Sequence, residues 1–240
     1  ILPSDILYRT RELRLAVETE RVVFLVRAHK SMEVSLVDVL QSIFPDKTKD
    51  FIVRIDDRDV AVIKEIEPGT EMKDVVQEAQ EMHDTINAEA MVKVSVGIST
   101  IVGTIQELAR AYREARIALE VGKVFDTEKN IISYDNLGIG RLIYQLPTTL
   151  CELFLNEVFK KESISVLDSE TIYTIQKFFE NNLNVSETSR KLFVHRNTLV
   201  YRLDKIKKLT GLDLREFDDA IIFKVAMMVN KYLTSEPTRM

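Results

Sequence analysis

The segment from Asn184 to Gly211 constrains the fold more than any other part of this chain. It reads NVSETSRKLFVHRNTLVYRLDKIKKLTG, and Asn184 followed three residues later by Glu187 has the spacing of a capped helix start. A second helix is expected to begin near His195, because apolar residues recur there at helical spacing: Leu199, Leu203 and Ile206. Gly211 is a typical helix stop. The pattern predicts two short helices joined by a tight corner.

The start of this second helix has a polar and basic tip. Asn197 and Tyr201 point away from the apolar stripe, and hydrogen-bond donors flank them: Arg196, Thr198, Arg202 and Lys205. From Ser186 to Gly211 there are seven Lys or Arg against two acids, a balance of +5 in a chain of formal net charge -5. Positive charge is concentrated where contact with double-stranded DNA is predicted.

Further helices are predicted on both sides of this pair. Upstream, Glu170 to Leu183 carries apolar residues at helical spacing, and three helices make the minimal helix-turn-helix unit. Downstream, Leu212 to Leu233 is expected to close the unit with an inward face of Phe217, Ile221, Ile222, Val225, Met228 and Val229.

The stretch from Lys177 to Leu214, KFFENNLNVSETSRKLFVHRNTLVYRLDKIKKLTGLDL, resembles the C-terminal helix-turn-helix of the PucR and sugar-diacid-regulator (CdaR-like) family of bacterial transcription factors. That unit is itself similar to the Fis-type DNA-binding unit with its RNTL core. The resemblance implies a metabolite-responsive, non-enzymatic transcription regulator that binds DNA. One position departs from the Fis-type pattern, because Phe193 stands where such turns often carry glycine.

The site residues expected from this segment fall into two groups. Candidates for contact with base edges are His195, Arg196, Asn197 and Tyr201. Candidates for contact with phosphates are Arg190, Lys191, Thr198, Arg202 and Lys205. The alternative is that the basic residues only solvate a helical hairpin, which is favoured for Lys207 and Lys208 taken singly. It is not favoured at the tip, because a helix that begins His-Arg-Asn-Thr includes poor helix formers where better ones were available.

The preceding part of the chain alternates between strand and helix periods. Strands are predicted over Arg21–Ala28, 50–55, 59–66 and 92–100, and helices over 33–44, 71–90 and 105–121. The corner at 56–58 joins the second and third strands as a hairpin. This order predicts a ferredoxin-like α+β domain with an addition. The whole chain is therefore expected to be an α+β domain followed by an all-α helix-turn-helix domain.

Three stretches of the α+β region carry a second resemblance. RIDDRDVAVI resembles the hairpin of GGDEF nucleotide cyclase domains, VSVGIST is similar to their later strand, and ELARAYREARIALEVGK to their closing helix. The region resembles the GGDEF-like domain that precedes the DNA-binding unit in the PucR and sugar-diacid-regulator group. The resemblance implies a fold and no activity.

Catalysis is not expected from this hairpin. Asp56 and Asp57 stand where a working cyclase has glycines, Arg58 replaces an acid, and the strand 22–28 contains no carboxylate. Asp56, Asp57 and Asp59 are favoured as turn residues over metal ligands. We therefore expect no cofactor and no metal, although residual cyclase or hydrolase activity stays open as a disfavoured alternative.

Other constellations of reactive residues do not suggest a catalytic site either. His29, His83 and His195 lie far apart without metal-ligand spacing, and none is paired with Cys151 in a way that suggests a nucleophile. His83 is expected at the surface or at an edge. Gly138 and Gly140 lack the context of a phosphate loop and are expected to mark a flexible joint.

Four domain ranges follow from these patterns. Residues 1–20 are expected to be a connecting helix or linker, 21–135 a degenerate GGDEF-like domain, 136–165 a helical linker, and 166–240 the helix-turn-helix domain. Pro147 interrupts the linker helix. Its apolar residues are expected to form a homodimer contact or, alternatively, to pack on a neighbouring domain: Leu142, Ile143, Leu146, Leu150, Leu153, Phe154 and Val158.

Composition and processing signals favour a cytoplasmic protein. The longest apolar run, Ala220–Val229, is too short to cross a bilayer, no signal peptide is visible, and a single cysteine suits a reducing compartment. Because the chain begins at Ile1 without methionine, the sequence leaves open whether an upstream domain is missing. The expected partners are double-stranded DNA, a second copy or more of this chain, and an unknown small-molecule effector, with no membrane. Alternatively, the GGDEF-like domain is itself a sensor that binds a nucleotide or small metabolite.

Overall fold

The chain divides into two compact units, Ile1–Arg141 and Leu142–Met240. The structure is a computed structural model that describes residues 8, 10, 12, 15–30, 35–125, 128–159 and 167–235. The connecting helix predicted near the start of the chain lies largely outside these residues. The finer limits expected from the sequence, including a separate linker over 136–165, stay predictions.

The first unit is a mixed sheet with helices. Its strands are β1 (Glu18–Ala28), β2 (Phe51–Arg54), β3 (Asp59–Glu65), β4 (Val94–Ile98), β5 (Val102–Thr104) and β6 (Ile131–Ser133). Its helices are α1 (Leu36–Ile43), α2 (Met72–Ala90) and α3 (Leu108–Phe125). The strand order is β2-β3-β1-β4-β6, with β5 paired to β1. The described pairings are antiparallel except the one between β4 and β6.

Strand β1 is the centre of this sheet. Its apolar run pairs with β3 on one side and with β4 on the other, so that Phe24 lies opposite both Val62 and Ile98. A strand buried on both faces reads as a continuous apolar run. On β4, Gly97 lies so close to α3 that an added Cβ would stand 2.1 Å from the Ala115 carbonyl oxygen. Glycine at this position therefore permits the close packing of helix on strand.

The α+β fold expected for this unit is confirmed, with two differences in detail. The three-residue strands β5 and β6 were not predicted, because so short a segment carries no period of its own. The expectation for His83 was wrong: this residue is buried on the inner side of α2, where its ring contacts Asn87 and Asp84.

The second unit is all helical, as expected. It contains α5 (Thr148–Phe159), α6 (Ser169–Glu180), α7 (Val185–Lys191), α8 (Arg196–Thr210) and α9 (Phe217–Thr234), and α4 (Ile139–Gln145) spans the division between the units. Phe178, Leu199 and Phe223 are fully buried in its core. The Phe159 ring contacts Phe223 edge-on at 5.7 Å. None of the described helices is long and apolar enough to cross a membrane.

The inward face predicted for α9 was wrong in most positions, and of the predicted residues only Val229 is fully buried. Phe217 is 70% exposed and Ile221 is 45% exposed. The residues that turn inward are Ala220, Phe223, Ala226, Val229 and Tyr232. Apolar residues occur almost all round this helix, so their spacing alone does not decide which side is buried. The buried alanines bring α9 close to α5.

The apolar residues of α4 and α5 are divided between two environments. Ile143 and Cys151 are buried, and Phe154 and Val158 pack against the core of the second unit. Four leucines stay exposed on these two helices and the short connection between them: Leu142, Leu146, Leu150 and Leu153. We call these four residues the leucine stripe.

Candidate nucleic-acid interface

The helix-turn-helix begins at a capped helix. The Asn184 side chain accepts a hydrogen bond from the Glu187 backbone N–H at 3.0 Å, as the sequence predicted. The Glu187 carboxylate does not return to the cap, because it accepts from the Arg190 guanidinium at 2.6 Å. Helix α7 is therefore fixed at its start by Asn184, while Arg190 is held along the helix.

The corner between α7 and α8 depends on an unusual backbone conformation at Phe193. This residue has φ +55°, in the left-handed region that favours glycine, and its side chain is 96% exposed. Backbone hydrogen bonds run from the Phe193 N–H to the Arg190 carbonyl and from the Val194 N–H to the Ser189 carbonyl. Phe193 thus adopts the conformation for which Fis-type turns often use glycine.

Helix α8 is capped by His195. Its Nδ1 accepts a hydrogen bond from the Asn197 backbone N–H at 3.2 Å. Because Nδ1 is the acceptor, the neutral ring carries its proton on Nε2, which can donate to an external group. At the other end, Gly211 ends the helix with φ +79°. The N-terminal end of α8 is consequently well defined, with a donor at its cap.

The structure brings most of the predicted contact residues together at this end of α8. Its exposed residues there are His195, Arg196, Asn197, Thr198 and Tyr201, and Arg190 and Lys191 of α7 are exposed as well. Tyr201 is 71% exposed. The Arg196 Nη1 donates to Ser186 Oγ at 2.5 Å, which joins the start of α8 to the start of α7.

Two predicted phosphate ligands instead make contacts within the unit. The Arg202 guanidinium donates to Thr174 Oγ1 at 3.1 Å and to the Glu170 carboxylate, both on α6, and its side chain is only 26% exposed. The Lys205 ammonium lies 3.5 Å from the Asp168 carboxylate in a looser pair. Arg202 is therefore not available at the exposed tip, whereas Lys205 is half-exposed and held only by a long ion pair.

A buried carboxylate at the end of α8 was missed in the sequence. Asp213 accepts from the Arg215 Nε at 2.8 Å and from the Lys207 Nζ at 3.0 Å. The Arg215 guanidinium hydrogen bonds hold the pKa of the Asp213 carboxyl well below its usual range. Arg215 also donates to Asp204 at 2.8 Å. Lys207 is thus part of a network that ties α8 to the start of α9, and an Asp directly after the Gly-Leu stop was its only signal.

Asp56 and Asp59 of the hairpin between β2 and β3 are engaged by groups of the protein itself. Asp56 Oδ1 accepts the backbone N–H groups of Arg58 and Asp59 at 2.7 and 2.8 Å, as a turn residue should. The Asp59 carboxylate is engaged by Arg27 through two hydrogen bonds of 2.8 Å, and Arg27 also donates to Glu120. Among the described residues, no cluster of three or more His, Cys, Asp or Glu could hold a metal ion.

Each of the two units contains a match to a known protein family. The GGDEF-like domain matches residues 2–121, half of the chain. The PucR C-terminal helix-turn-helix domain matches residues 171–229. The second match includes α7, the turn and α8, where the exposed polar tip lies.

Several of the relatives that this chain matches are named as bacterial regulators. The chain is 34% identical over 127 residues to the carbohydrate diacid regulator of Escherichia coli K12, covering 52% of this chain and 32% of that protein. It is 25% identical over 161 residues to the purine catabolism regulatory protein of Bacillus subtilis 168, covering 67% and 30%. It is 24% identical over 215 residues to the B. subtilis 168 DNA-binding transcriptional activator AdeR, covering 85% and 50%. The chain thus spans about a third to a half of the length of these relatives.

Proposed function

Since the chain belongs to the family that joins a GGDEF-like domain to a PucR C-terminal helix-turn-helix domain, we propose that it binds double-stranded DNA and regulates transcription. The observation that carries the proposal is the exposed polar tip at the start of α8. There, five polar side chains face solvent close to Arg190 and Lys191 at the end of α7: His195, Arg196, Asn197, Thr198 and Tyr201. A helix presented by its N-terminal residues can enter the major groove.

The exposed residues divide into base-reading and phosphate-binding roles. We assign His195, Arg196, Asn197 and Tyr201 to base edges, because they lie at the tip itself. Arg190, Lys191 and Thr198 are assigned to phosphates. We also assign Lys205 to phosphates, because it can exchange its 3.5 Å ion pair with Asp168 for a contact with a phosphate. Arg202 would first have to leave Glu170 and Thr174, so we assign it mainly to holding α8 against α6.

The proposal is tested by fluorescence anisotropy of the chain on DNA from its own upstream region and on scrambled DNA, across a salt series. A regulator that reads sequence keeps its preference for the upstream DNA as salt rises, because only the phosphate contribution is screened. Weak binding that disappears equally on both DNAs would contradict sequence reading by this unit.

Two substitutions then separate the proposed roles. Arg196→Ala should cost on the order of 1–3 kcal/mol at one base position and relax specificity there. Lys205→Ala should weaken binding evenly on all sequences and lower the salt slope by about 1. Lys208→Ala, at an exposed position farther along α8, is the matched control. Equal losses on all sequences for Arg196→Ala and Lys205→Ala would contradict the assignment.

We also propose that the chain acts as a homodimer through the leucine stripe. Two half-sites multiply affinity through effective concentration, and a second copy would cover the four exposed leucines of the stripe. Helix α5 packs directly on α9, so a contact through the stripe is continuous with the DNA-binding unit.

Light scattering after gel filtration should show a dimer that Leu150→Glu converts to a monomer. Asn156→Glu, an equal charge at an exposed polar position of α5, should leave it intact; a dimer unaffected by Leu150→Glu contradicts this contact.

The GGDEF-like domain is proposed to have no catalytic role, since the Asp59 carboxylate is neutralised by Arg27. A metal-dependent cyclase assay that rises above background would contradict this.

The rival role, a nucleotide sensor, has little support in the first unit. One cleft there, of about 560 Å³, is lined by Glu18, Glu20, Glu65 and Glu67 together with one cation, Lys49. Its excess of negative charge disfavours phosphates. A thermal shift with a nucleotide panel tests that role, because a ligand of the folded state raises the midpoint. The effector stays a prediction. Because the proposed ligand is DNA, we propose that the chain acts in the cytoplasm.

A further inference from the structure

The contact between Arg196 and Ser186 connects the two helices of the helix-turn-helix at their N-terminal ends. Ser186 is the second residue of α7 and Arg196 is the first residue of α8. The Arg196 Nη1 donates to Ser186 Oγ at 2.5 Å. The Ser186 backbone is fixed independently, because its carbonyl accepts from Ser189 Oγ and Asn184 caps the same turn. A flexible side chain at the tip is thus held by a residue on a different helix.

We propose that Ser186 is a positioning residue that orients the Arg196 guanidinium for base reading. The inference rests on the proposed function, and it assigns a role to a residue outside the predicted contact set. A guanidinium has five N–H donors, and the bond to Ser186 uses one of them. The remaining donors, including both of Nη2, stay available for a bidentate contact, which is how arginine recognises guanine O6 and N7. Because Ser186 Oγ accepts this hydrogen bond, the hydroxyl can still donate its own proton to another group.

The physical benefit is that arginine is ordered before DNA binds. Both residues are exposed, so a free arginine there would sample many rotamers. Ordering one such side chain on binding changes affinity by roughly two- to twelve-fold. A bond already present in the unbound protein removes much of that cost. The benefit applies only to DNA on which Arg196 makes its base contact, so it increases specificity rather than general affinity.

The test measures anisotropy on upstream and scrambled DNA for Ser186→Ala, Ser186→Thr, Arg196→Ala and the Ser186→Ala/Arg196→Ala double variant. Ser186→Ala should weaken binding to upstream DNA by roughly two- to twelve-fold and leave scrambled DNA unchanged. Ser186→Thr keeps a hydroxyl and should restore most of the loss. In the Arg196→Ala background, Ser186→Ala should have no further effect, because its partner is gone. Nitrogen-15 relaxation at Arg196 Nε in the unbound chain should show an ordered side chain that becomes mobile in Ser186→Ala.

The experiment distinguishes a failure of the positioning role of Ser186 from a failure of the proposed DNA-binding function. If Ser186→Ala weakens both DNAs equally and still does so without Arg196, Ser186 is a phosphate ligand and the positioning role is overturned. The same conclusion follows if Arg196 Nε is equally mobile with and without the hydroxyl. If the unaltered chain does not distinguish the two DNAs, the proposed function itself fails, whatever the relaxation data show for Ser186.

Discussion

The Arg202 guanidinium on α8 donates to both the Glu170 carboxylate and Thr174 Oγ1 on α6. The basic charge of α8 is therefore divided between two uses. Arg196 is presented at the exposed tip, Arg202 holds the helix against its neighbour, and Lys207 pairs with the buried Asp213. The sequence shows a single run of positive charge, whereas the structure separates cations that stabilise the unit from those available to a ligand.

The Arg202–Glu170 pair should contribute to stability rather than to DNA affinity. In a double-mutant cycle with Arg202→Gln and Glu170→Gln, we expect a coupling of about 0.5–1 kcal/mol, because Glu170 is largely exposed to solvent. Urea unfolding followed by helical circular dichroism measures it, with Lys208→Gln as the control. A fall of about 1 in the salt slope of DNA binding for Arg202→Gln would show instead that it binds a phosphate.

Phe193→Gly should stabilise the second unit. A left-handed backbone costs a non-glycine residue about 1–2 kcal/mol, which exceeds the entropy that glycine loses on folding. The phenyl ring is 96% exposed, so its removal sacrifices little packing. Phe193→Ala is the control because it removes the ring and keeps the strain. We expect the glycine variant to be more stable than the alanine variant by about 1 kcal/mol in urea unfolding; equal stabilities would mean that the backbone is not strained.

The Asp213 network predicts a pH dependence of stability. Hydrogen bonds from Arg215 lower the pKa of Asp213 in the folded chain, so the folded state favours the charged carboxylate. Its stabilisation is complete above the ordinary aspartate pKa of about 3.9 and is lost as pH falls through the lower folded value. Asp213→Asn should cost about 1.5–3 kcal/mol near neutral pH.

The difference between the unaltered chain and Asp213→Asn should shrink below about pH 4, since the unfolded carboxyl is then protonated. Urea titrations from pH 3 to 7 measure this trend. Asp218→Asn, at an exposed residue in the first turn of α9, is the control and should cost only a few tenths of a kcal/mol. A cost for Asp213→Asn that stays constant down to pH 3 would contradict the assignment.

Gly97→Ala should destabilise the first unit. The added Cβ would stand 2.1 Å from the Ala115 carbonyl oxygen and 2.8 Å from Leu119 Cγ, so α3 would have to move away from β4. Such overpacking costs about 1–3 kcal/mol. Gly103→Ala is the matched control, because no atom lies within 4 Å of its added Cβ. Thermal unfolding should separate the two variants; equal midpoints would show that the helix accommodates the methyl group.

Parts of the fold could be predicted because their patterns are local. The continuous apolar run of β1, the capping spacing at Asn184 and the stop at Gly211 each follow from neighbouring residues. Phe193 was recognised as a departure, and its left-handed conformation shows that the glycine-type turn is retained. The phase of α9 could not be predicted, because a helix that is apolar almost all round is buried on the side its neighbours happen to cover.

The sequence by itself determined the order of the longer helices and strands, the two family resemblances and the location of positive charge, since these depend on residue type and spacing. Only the tertiary structure decided the partner of each charge: Glu170 for Arg202, Asp213 for Lys207 and Ser186 for Arg196. These partners are 32, 6 and 10 residues apart in the chain. An ion pair or hydrogen bond depends on distance in space, and that distance is set only when the helices pack.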